Sequence, residues 1–412
     1  MQKKNIFTNT QNLLKHGEKF DASIYNRVKN YYGIEENHPF FGTKAKGSYL
    51  WDADNNKYID YILGYGTIVL GHAHPIVTKA VIQELKKGNC ISPLWKSIQL
   101  ELTELITSVI PNSEMAYLMK TGSDTTTGAL RLARIYTGRN KVIRFGYNGW
   151  HDWATPRVAG IPEFVKKDTL KLKYNCLDSL ERLFNQHDNQ IACIVMMPFE
   201  LEQPDVNYLA NVKSIAHKNG ALFILDEMRS GFRLALGGAQ EFFNIEADLA
   251  TYSKSMSNGY PISAIVGKKN ILNCLSETKM SATYFGTTHE MAAAIATIKI
   301  LQKTDALEKI WYLGNLFKAG ICELINDLNI NAEYLGYPPY PFIKFKYKNE
   351  DKLNLVKKTF FTITTNGGIL LHPNHHWYIC ASHSENDIIR TLKIFKKGFT
   401  EIKKNKFLNE DY

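Results

Sequence analysis

Between about Glu114 and Gly267, short β-branched runs alternate with amphipathic helical stretches. That alternation restricts the fold more than any other feature of the chain, because it is the pattern of an α/β sheet with crossover helices. Met115–Met119, Lys141–Phe145, Ile191–Met197, Ala221–Leu225, Leu249–Ser253 and Ser263–Val266 read as strands, and Thr125–Tyr136 and Val206–Asn219 as helices. Gly220 follows the second helix where a C-cap glycine belongs. These strands lack strict polar–apolar alternation, so they are expected to be buried on both faces in a mainly parallel sheet.

After about Thr304 the texture changes. A helix is predicted over Leu307–Leu328 and another over Lys352–Asn366, with strands at Phe342–Tyr347, Ile369–His372 and Tyr378–Ala381. A last helix should open at Ser384-Glu385-Asn386-Asp387, close to a capping box. At 412 residues the chain exceeds one typical hydrophobic core. The expected organisation is a large central domain over 61–305, a smaller α+β lobe over 306–412, and an N-terminal segment 1–60 that joins that lobe.

Charge and cysteine usage narrow the function classes. The net charge of +10 comes from lysines spread along the whole length, with a mild concentration from Lys393 to Lys406. A solvated helix face accounts for them better than a nucleic-acid patch does, and an anionic substrate or cofactor is a third use. No nucleic-acid partner is expected. Neither is a membrane partner, since no run of about 18 apolar residues occurs. The N-terminus lacks the apolar core of a secretory signal. The six cysteines contain no C-x-x-C pair, as in reduced, cytoplasmic proteins without a zinc site.

Four local features carry chemistry. Thr121-Gly122-Ser123-Asp124-Thr125 lies between a predicted strand and a helix, where free N–H groups and hydroxyls can meet a phosphate. Taken alone, a plain helix cap explains it better. Asp226-Glu227 ends an apolar strand, the edge at which α/β sheets bind ligands. Asp226 there can pair with a protonated ring nitrogen, bind a metal, or cap the turn before Gly231. Lys254 ends the next strand; desolvation lowers an amine's pKa and leaves it nucleophilic, although an isolated lysine would be read as snorkelling. Thr283-Tyr284-Phe285-Gly286-Thr287-Thr288 precedes an Ala-rich helix and offers a second phosphate contact.

In this order the features resemble the class III family of pyridoxal-phosphate (PLP) dependent aminotransferases, and among its members the glutamate-1-semialdehyde 2,1-aminomutases. The resemblance runs from about Gly47 to about Ile394. It rests on Gly47–Tyr61, Leu70-Gly71-His72-Ala73-His74-Pro75, Arg131–Arg139, Asp226-Glu227-Met228 with Gly231-Phe232-Arg233, and Lys254 with Gly259-Tyr260-Pro261. It implies fold type I, the aspartate-aminotransferase-like PLP transferase fold: a large, mainly parallel-sheet domain and a smaller α+β lobe. It also implies a homodimer with shared active sites.

By the same resemblance Lys254 is the Schiff-base lysine and proton shuttle, and Asp226 the carboxylate that keeps the pyridinium nitrogen protonated. Met228 and Tyr147 would flank the ring, Gly122 and Ser123 would hold the phosphate, and Thr283 (or, second, Thr287) would reach it from the neighbouring subunit. Tyr65, Trp95, Trp150 and Arg229 are candidate substrate contacts. No metal is expected: His372, His375 and His376 cluster on a presumed loop, but no cysteine or carboxylate completes a ligand set.

Three departures bear on the substrate. The family's Tyr-His-Gly reads Tyr147-Asn148-Gly149, the acidic residue before Pro198 is Met197, and Glu35-Glu36-Asn37-His38-Pro39-Phe40-Phe41 replaces the aminomutase segment whose arginine holds a substrate carboxylate. The leading expectation is therefore transfer of an amino group from a donor to a carbonyl acceptor through pyridoxamine phosphate, in a specialised biosynthetic pathway. Glutamate-1-semialdehyde aminomutation is the alternative. Racemase or decarboxylase chemistry on the same scaffold comes third, and a catalytically silent regulator is opposed by intact Lys254 and Asp226.

Overall fold

The computed structural model describes residues 7–27, 38–405 and 408. Of the segment that replaces the aminomutase arginine, Glu35, Glu36 and Asn37 lie outside the described residues. The chain forms two compact units, Pro75–Leu307 and the combination of Met1–His74 with Glu308–Tyr412.

In the second of these, β1 (Gly42–Lys46), β2 (Tyr49–Asp52) and β3 (Lys57–Asp60) form an antiparallel meander. The other unit, Pro75–Leu307, is built on seven strands: β4 (Met115–Met119), β5 (Lys141–Phe145), β6 (Thr169–Lys171), β7 (Ile191–Met196), β8 (Leu222–Asp226), β9 (Leu249–Tyr252) and β10 (Ser263–Gly267). Their order is β4-β10-β9-β8-β7-β5-β6, and only β10 runs against its neighbours. Every residue of β7, β8, β9 and β10 is buried, as apolar runs covered by helices on both faces must be. The Gly122–Thr137 helix packs Leu130, Leu132 and Ala133 into that core with Val142, Val195 and Ile224. Parallel pairing puts the carboxyl ends of β4 to β9 on one edge, at Met119, Phe145, Lys171, Met196, Asp226 and Tyr252. That edge positions the site.

The unit containing both termini adds β11 (Ala332–Leu335), β12 (Phe342–Phe345) and β13 (Ile369–Leu370). β13 pairs in parallel with β3, Ile369 opposite Ile59, so early and late segments share one sheet. Its last helix, Glu385–Lys404, begins with a reciprocal capping box between Ser384 and Asp387. Tyr378–Ala381, expected as a strand, is not one. Tyr378 N donates to Tyr61 O, Ile379 N to Pro339 O and Ala381 N to Val69 O, so its extended backbone is satisfied by three separate segments and forms no ladder.

Candidate active site

The site grows from the ends of β8 and β9. Asp226, the last residue of β8, is fully buried. Its Oδ1 accepts from Met228 N at 3.1 Å and its Oδ2 from Asn148 Nδ2 at 2.8 Å. Burial raises its pKa, and these two donors with the charges of Lys254 and Arg229 oppose the rise. Glu227 has a different fate. Its carboxylate accepts from Ser230 Oγ and from the N–H groups of Ala239 and Gln240 at 2.8 and 2.9 Å, so it anchors the turn and the short helix behind Asp226. Burial lifts its pKa to about 7.

Lys254 opens the turn after β9 with φ +37°, in the left-handed region that side-chain-bearing residues avoid. Burial, followed by the Arg229 charge, lowers its pKa to about 7; Asp226 opposes this and Arg233 adds to it. An amine so placed is about half neutral at pH 7, and that neutral fraction is nucleophilic. Arg233 is itself fully buried, with Nε donating to Ser255 Oγ at 3.3 Å, in the same turn as Lys254.

The turn expected to meet the phosphate follows β4. Thr121 caps the helix reciprocally with Asp124: Asp124 N donates to Thr121 Oγ1, Thr121 N donates to Asp124 Oδ2, and Thr125 N donates to Thr121 O. Among the described residues this leaves the N–H groups of Gly122 and Ser123 without an acceptor, at the positive end of a 16-residue helix. Ser123, Thr126 and Thr127 on that helix then grip the next loop. Ser123 Oγ accepts from Trp150 N at 3.2 Å, Thr126 Oγ1 donates to Asn148 O at 2.6 Å, and Thr127 Oγ1 accepts from Trp153 Nε1 at 2.8 Å. Gly149 has φ +126°, and a Cβ there would meet Ser123 Oγ at 2.6 Å, so only glycine lets the loop close on the turn.

The residues fit pyridoxal phosphate. A buried carboxylate, a lowered-pKa amine and two unpaired helix N–H groups stand at one sheet edge, as the ring nitrogen, aldehyde and phosphate require. Met228 is buried against Gly122, whose Cβ would lie 2.7 Å from the Met228 sulfur, and Tyr147 is 52% exposed on the loop. Asn148 Oδ1 is buried without a partner among the described residues, an acceptor left over beside Asp226.

The remaining expected residues are more dispersed. Thr283 is exposed on a 3₁₀ turn, its carbonyl accepting from Ser92 Oγ, whereas Thr287 is buried and its hydroxyl is taken up by Lys120 Nζ and Tyr284 O. Trp150 and Trp95 are 70% and 87% exposed, and Arg229 is partly buried. Tyr65, in the other unit, packs between His372 and His375 with ring centroids 5.7 and 5.1 Å away. Among the described residues no group of three or more His, Cys, Asp or Glu is arranged to hold a metal ion. Sequence reading noticed Asn148 only as a departure from Tyr-His-Gly. It could not see the bond to Asp226, 78 residues away, and it passed over Thr126, whose only signal is its spacing from Ser123 on one helix face.

Comparison with known proteins agrees with this geometry. Residues 31–376 match the family model "Aminotransferase class-III". A 3-aminobutyryl-CoA aminotransferase of Cloacimonas acidaminovorans is 36% identical over 410 residues, 97% of each chain. A glutamate-1-semialdehyde 2,1-aminomutase of Francisella philomiragia is 32% identical over 95% of this chain and 98% of its own. Among solved structures, the PLP internal aldimine form of the Sphingopyxis sp. MTA144 FumI protein superposes with a TM-score of 0.88 at 27% identity, covering 95% of this chain and 96% of that one. The chain belongs to the class III aminotransferases, PLP-dependent enzymes of fold type I.

Proposed function

We propose that this enzyme moves an amino group from the 3-position of an acyl thioester to a 2-oxo acid. What carries the transfer chemistry is the pairing at one sheet edge of a buried Asp226, held by Asn148 and Met228 N, with a Lys254 of pKa about 7. The 3-amino acyl class is supported by the 36% identical relative and by the absence of the aminomutase arginine segment from the sequence.

Bound at this site, pyridoxal phosphate supplies an electron sink for the bond broken at the substrate's amine-bearing carbon. Lys254 would be its attachment point, and Lys254 Nζ, about half neutral at pH 7, would remove and return the proton at that carbon. Asp226 would keep the ring nitrogen protonated. The Gly122 and Ser123 N–H groups would hold the phosphate, and Met228 and Tyr147 would pack on the ring. Trp150, Trp95 and Arg229 are proposed to meet the substrate.

A homodimer in which Thr283 reaches the partner's phosphate belongs to the same proposal. Its support is an exposed apolar face within Pro75–Leu307, formed by Leu94, Trp95 and Tyr284 around the turn that carries Thr283. We place the enzyme in the cytoplasm on the strength of six cysteines that form no disulfide, and in a biosynthetic pathway because the sequence lacks the aminomutase arginine segment. No helix among the described residues is long and apolar enough to cross a membrane.

The test is turnover by the holoenzyme. With 3-aminobutyryl-CoA and a 2-oxo acid, the expected products are the 3-oxobutyryl thioester and the corresponding 2-amino acid. Efficient conversion of glutamate-1-semialdehyde, with no product from the thioester, would overturn the proposal in favour of the aminomutase.

A further inference from the structure

Arg144 is the penultimate residue of β5 and is only 7% exposed. Its Nη1 donates to Gly146 O at 3.1 Å and Ala154 O at 2.6 Å, and its Nη2 to Thr155 O at 3.3 Å. All three acceptors are neutral carbonyls. Among the described residues no carboxylate forms an ion pair with it, and its Nε is buried without a partner. Glu200 attracts it without forming an ion pair, and a buried guanidinium so weakly compensated is costly unless a further anion visits it.

Such an anion has room beside it. Arg144 and Lys171, which ends β6, line a cavity of about 300 Å³ together with Tyr147, Pro156, Leu172 and Glu200. That is the lower end of the size of small-molecule sites. Lys171 is exposed and has no hydrogen bond or ion pair among the described residues. Glu200 is the acid of the lining and offsets one of the two cations, which leaves a net positive charge.

Position then selects the ligand. The cavity opens at the carboxyl ends of β5 and β6, on the edge that carries Asp226 and Lys254. Lys254 follows β9, and β9 is separated from β5 by β8 and β7. At about 4.8 Å per strand, the cavity stands roughly 14 Å along the sheet from the reacting amine. One extended residue spans about 3.5 Å, so a free amino acid engaged at Lys254 cannot place its own carboxylate there. A substrate drawn out by a long arm with an anion at its far end can.

We propose that the Arg144–Lys171 cavity is an anion subsite that binds a phosphate at the far end of the substrate's thioester arm. This deepens the 3-amino acyl thioester reading and rests on it. Arg144 does double duty in this scheme, since its carbonyl bonds also hold both ends of the loop that carries Tyr147, Asn148 and Trp150. Lys171, which holds nothing else, is therefore the residue to change.

The experiment compares three 3-aminobutyryl thioesters on the holoenzyme: those of CoA, of phosphopantetheine and of unphosphorylated pantetheine. Lys171→Glu should raise KM about tenfold for the phosphorylated arms, leave kcat and the pantetheine thioester unchanged, and be reversed by Lys171→Arg. An effect on both phosphorylated thioesters assigns the subsite to the pantetheine phosphate, and an effect on CoA alone assigns it to the nucleotide phosphates. One KM for all three thioesters, or one Lys171→Glu effect on all three, would overturn the subsite while leaving the 3-amino acyl reading intact. If no thioester reacts, calorimetric titration of the holoenzyme with CoA and with phosphopantetheine decides the subsite separately. Binding of either that weakens about tenfold in Lys171→Glu supports it; no binding of either, or binding untouched by the variant, rejects it.

Discussion

Asn148 Nδ2 lies 2.8 Å from Asp226 Oδ2, and both residues are buried. The carboxylate proposed to face the cofactor's ring nitrogen is thus held by an amide that carries no charge at any working pH. Replacing it by a group that cannot donate leaves Asp226 with the Met228 N–H as its remaining hydrogen-bond donor in this pair of contacts, and Asp226 is driven further toward its neutral form. A hydrogen bond to a charged group contributes about 1.5–3 kcal/mol. Asn148→Leu should therefore weaken cofactor binding by roughly tenfold or more and alter the absorbance of the bound cofactor. Dialysis against known cofactor concentrations, followed by a pH-dependent spectrum, checks both; unchanged affinity and spectrum would remove Asn148 from the site.

Lys254 should titrate where ordinary lysines do not. With a pKa of about 7, its neutral fraction rises about tenfold between pH 6 and pH 8 and then levels off. Cofactor capture by the apoenzyme, followed by absorbance, should show that plateau above pH 8. A rate still climbing at pH 10 would mean an unperturbed amine. In the apoenzyme the lowered pKa also has a stability consequence. Between about pH 7 and the unfolded value near 10.5 the unfolded chain binds more protons at this residue, so Lys254's contribution to stability grows with pH over that window.

Glu227 predicts the opposite slope. Its pKa is raised to about 7, so between about pH 4.5 and 7 the native state holds a proton that the unfolded chain has released. Stability from this group is present below pH 4.5 and is lost as pH rises through 7. Glu227→Gln abolishes that titration, although it also loses one carboxylate acceptor from the turn at Ala239 and Gln240. Thermal midpoints of the two apoenzymes from pH 4.5 to 8 should show wild type declining relative to the variant. Parallel curves would show that Glu227 is ionised throughout.

Gly149 is where the Tyr147 loop meets the helix N-terminus at Ser123. An alanine there would sit at φ +126° with its Cβ 2.6 Å from Ser123 Oγ and 3.1 Å from Ser123 Cα. Strain of this kind costs about 1–3 kcal/mol, and moving Ser123 disturbs the helix N-terminus. Gly149→Ala should lower the urea midpoint and also retain less cofactor after purification. A variant with both properties of the wild type would mean the loop has room that the structure does not show.

What the chain determined by itself was local or ordered along its length. All six predicted strands of the large sheet lie within a residue of their positions, because strand-forming runs such as Ile191–Met196 are apolar whatever surrounds them; the short edge strand Thr169–Lys171 was not anticipated. Gly122, Asp226 and Lys254 each follow a strand, at the edge where strand ends converge in such sheets, but they indicated pyridoxal phosphate only through the resemblance of their ordered motifs to the class III aminotransferases. Tertiary structure decided what depends on partners far away in sequence. It turned Asp226 toward Asn148 and its neighbour Glu227 toward Ala239, a difference between two adjacent acids that no local pattern contains. It withheld a ladder from Tyr378–Ala381, whose composition suits a strand but whose neighbours are three separate segments. It also buried Arg144 among carbonyls, a lone cation in the sequence whose solvation was settled only when β5, β6 and the Tyr147 loop came together.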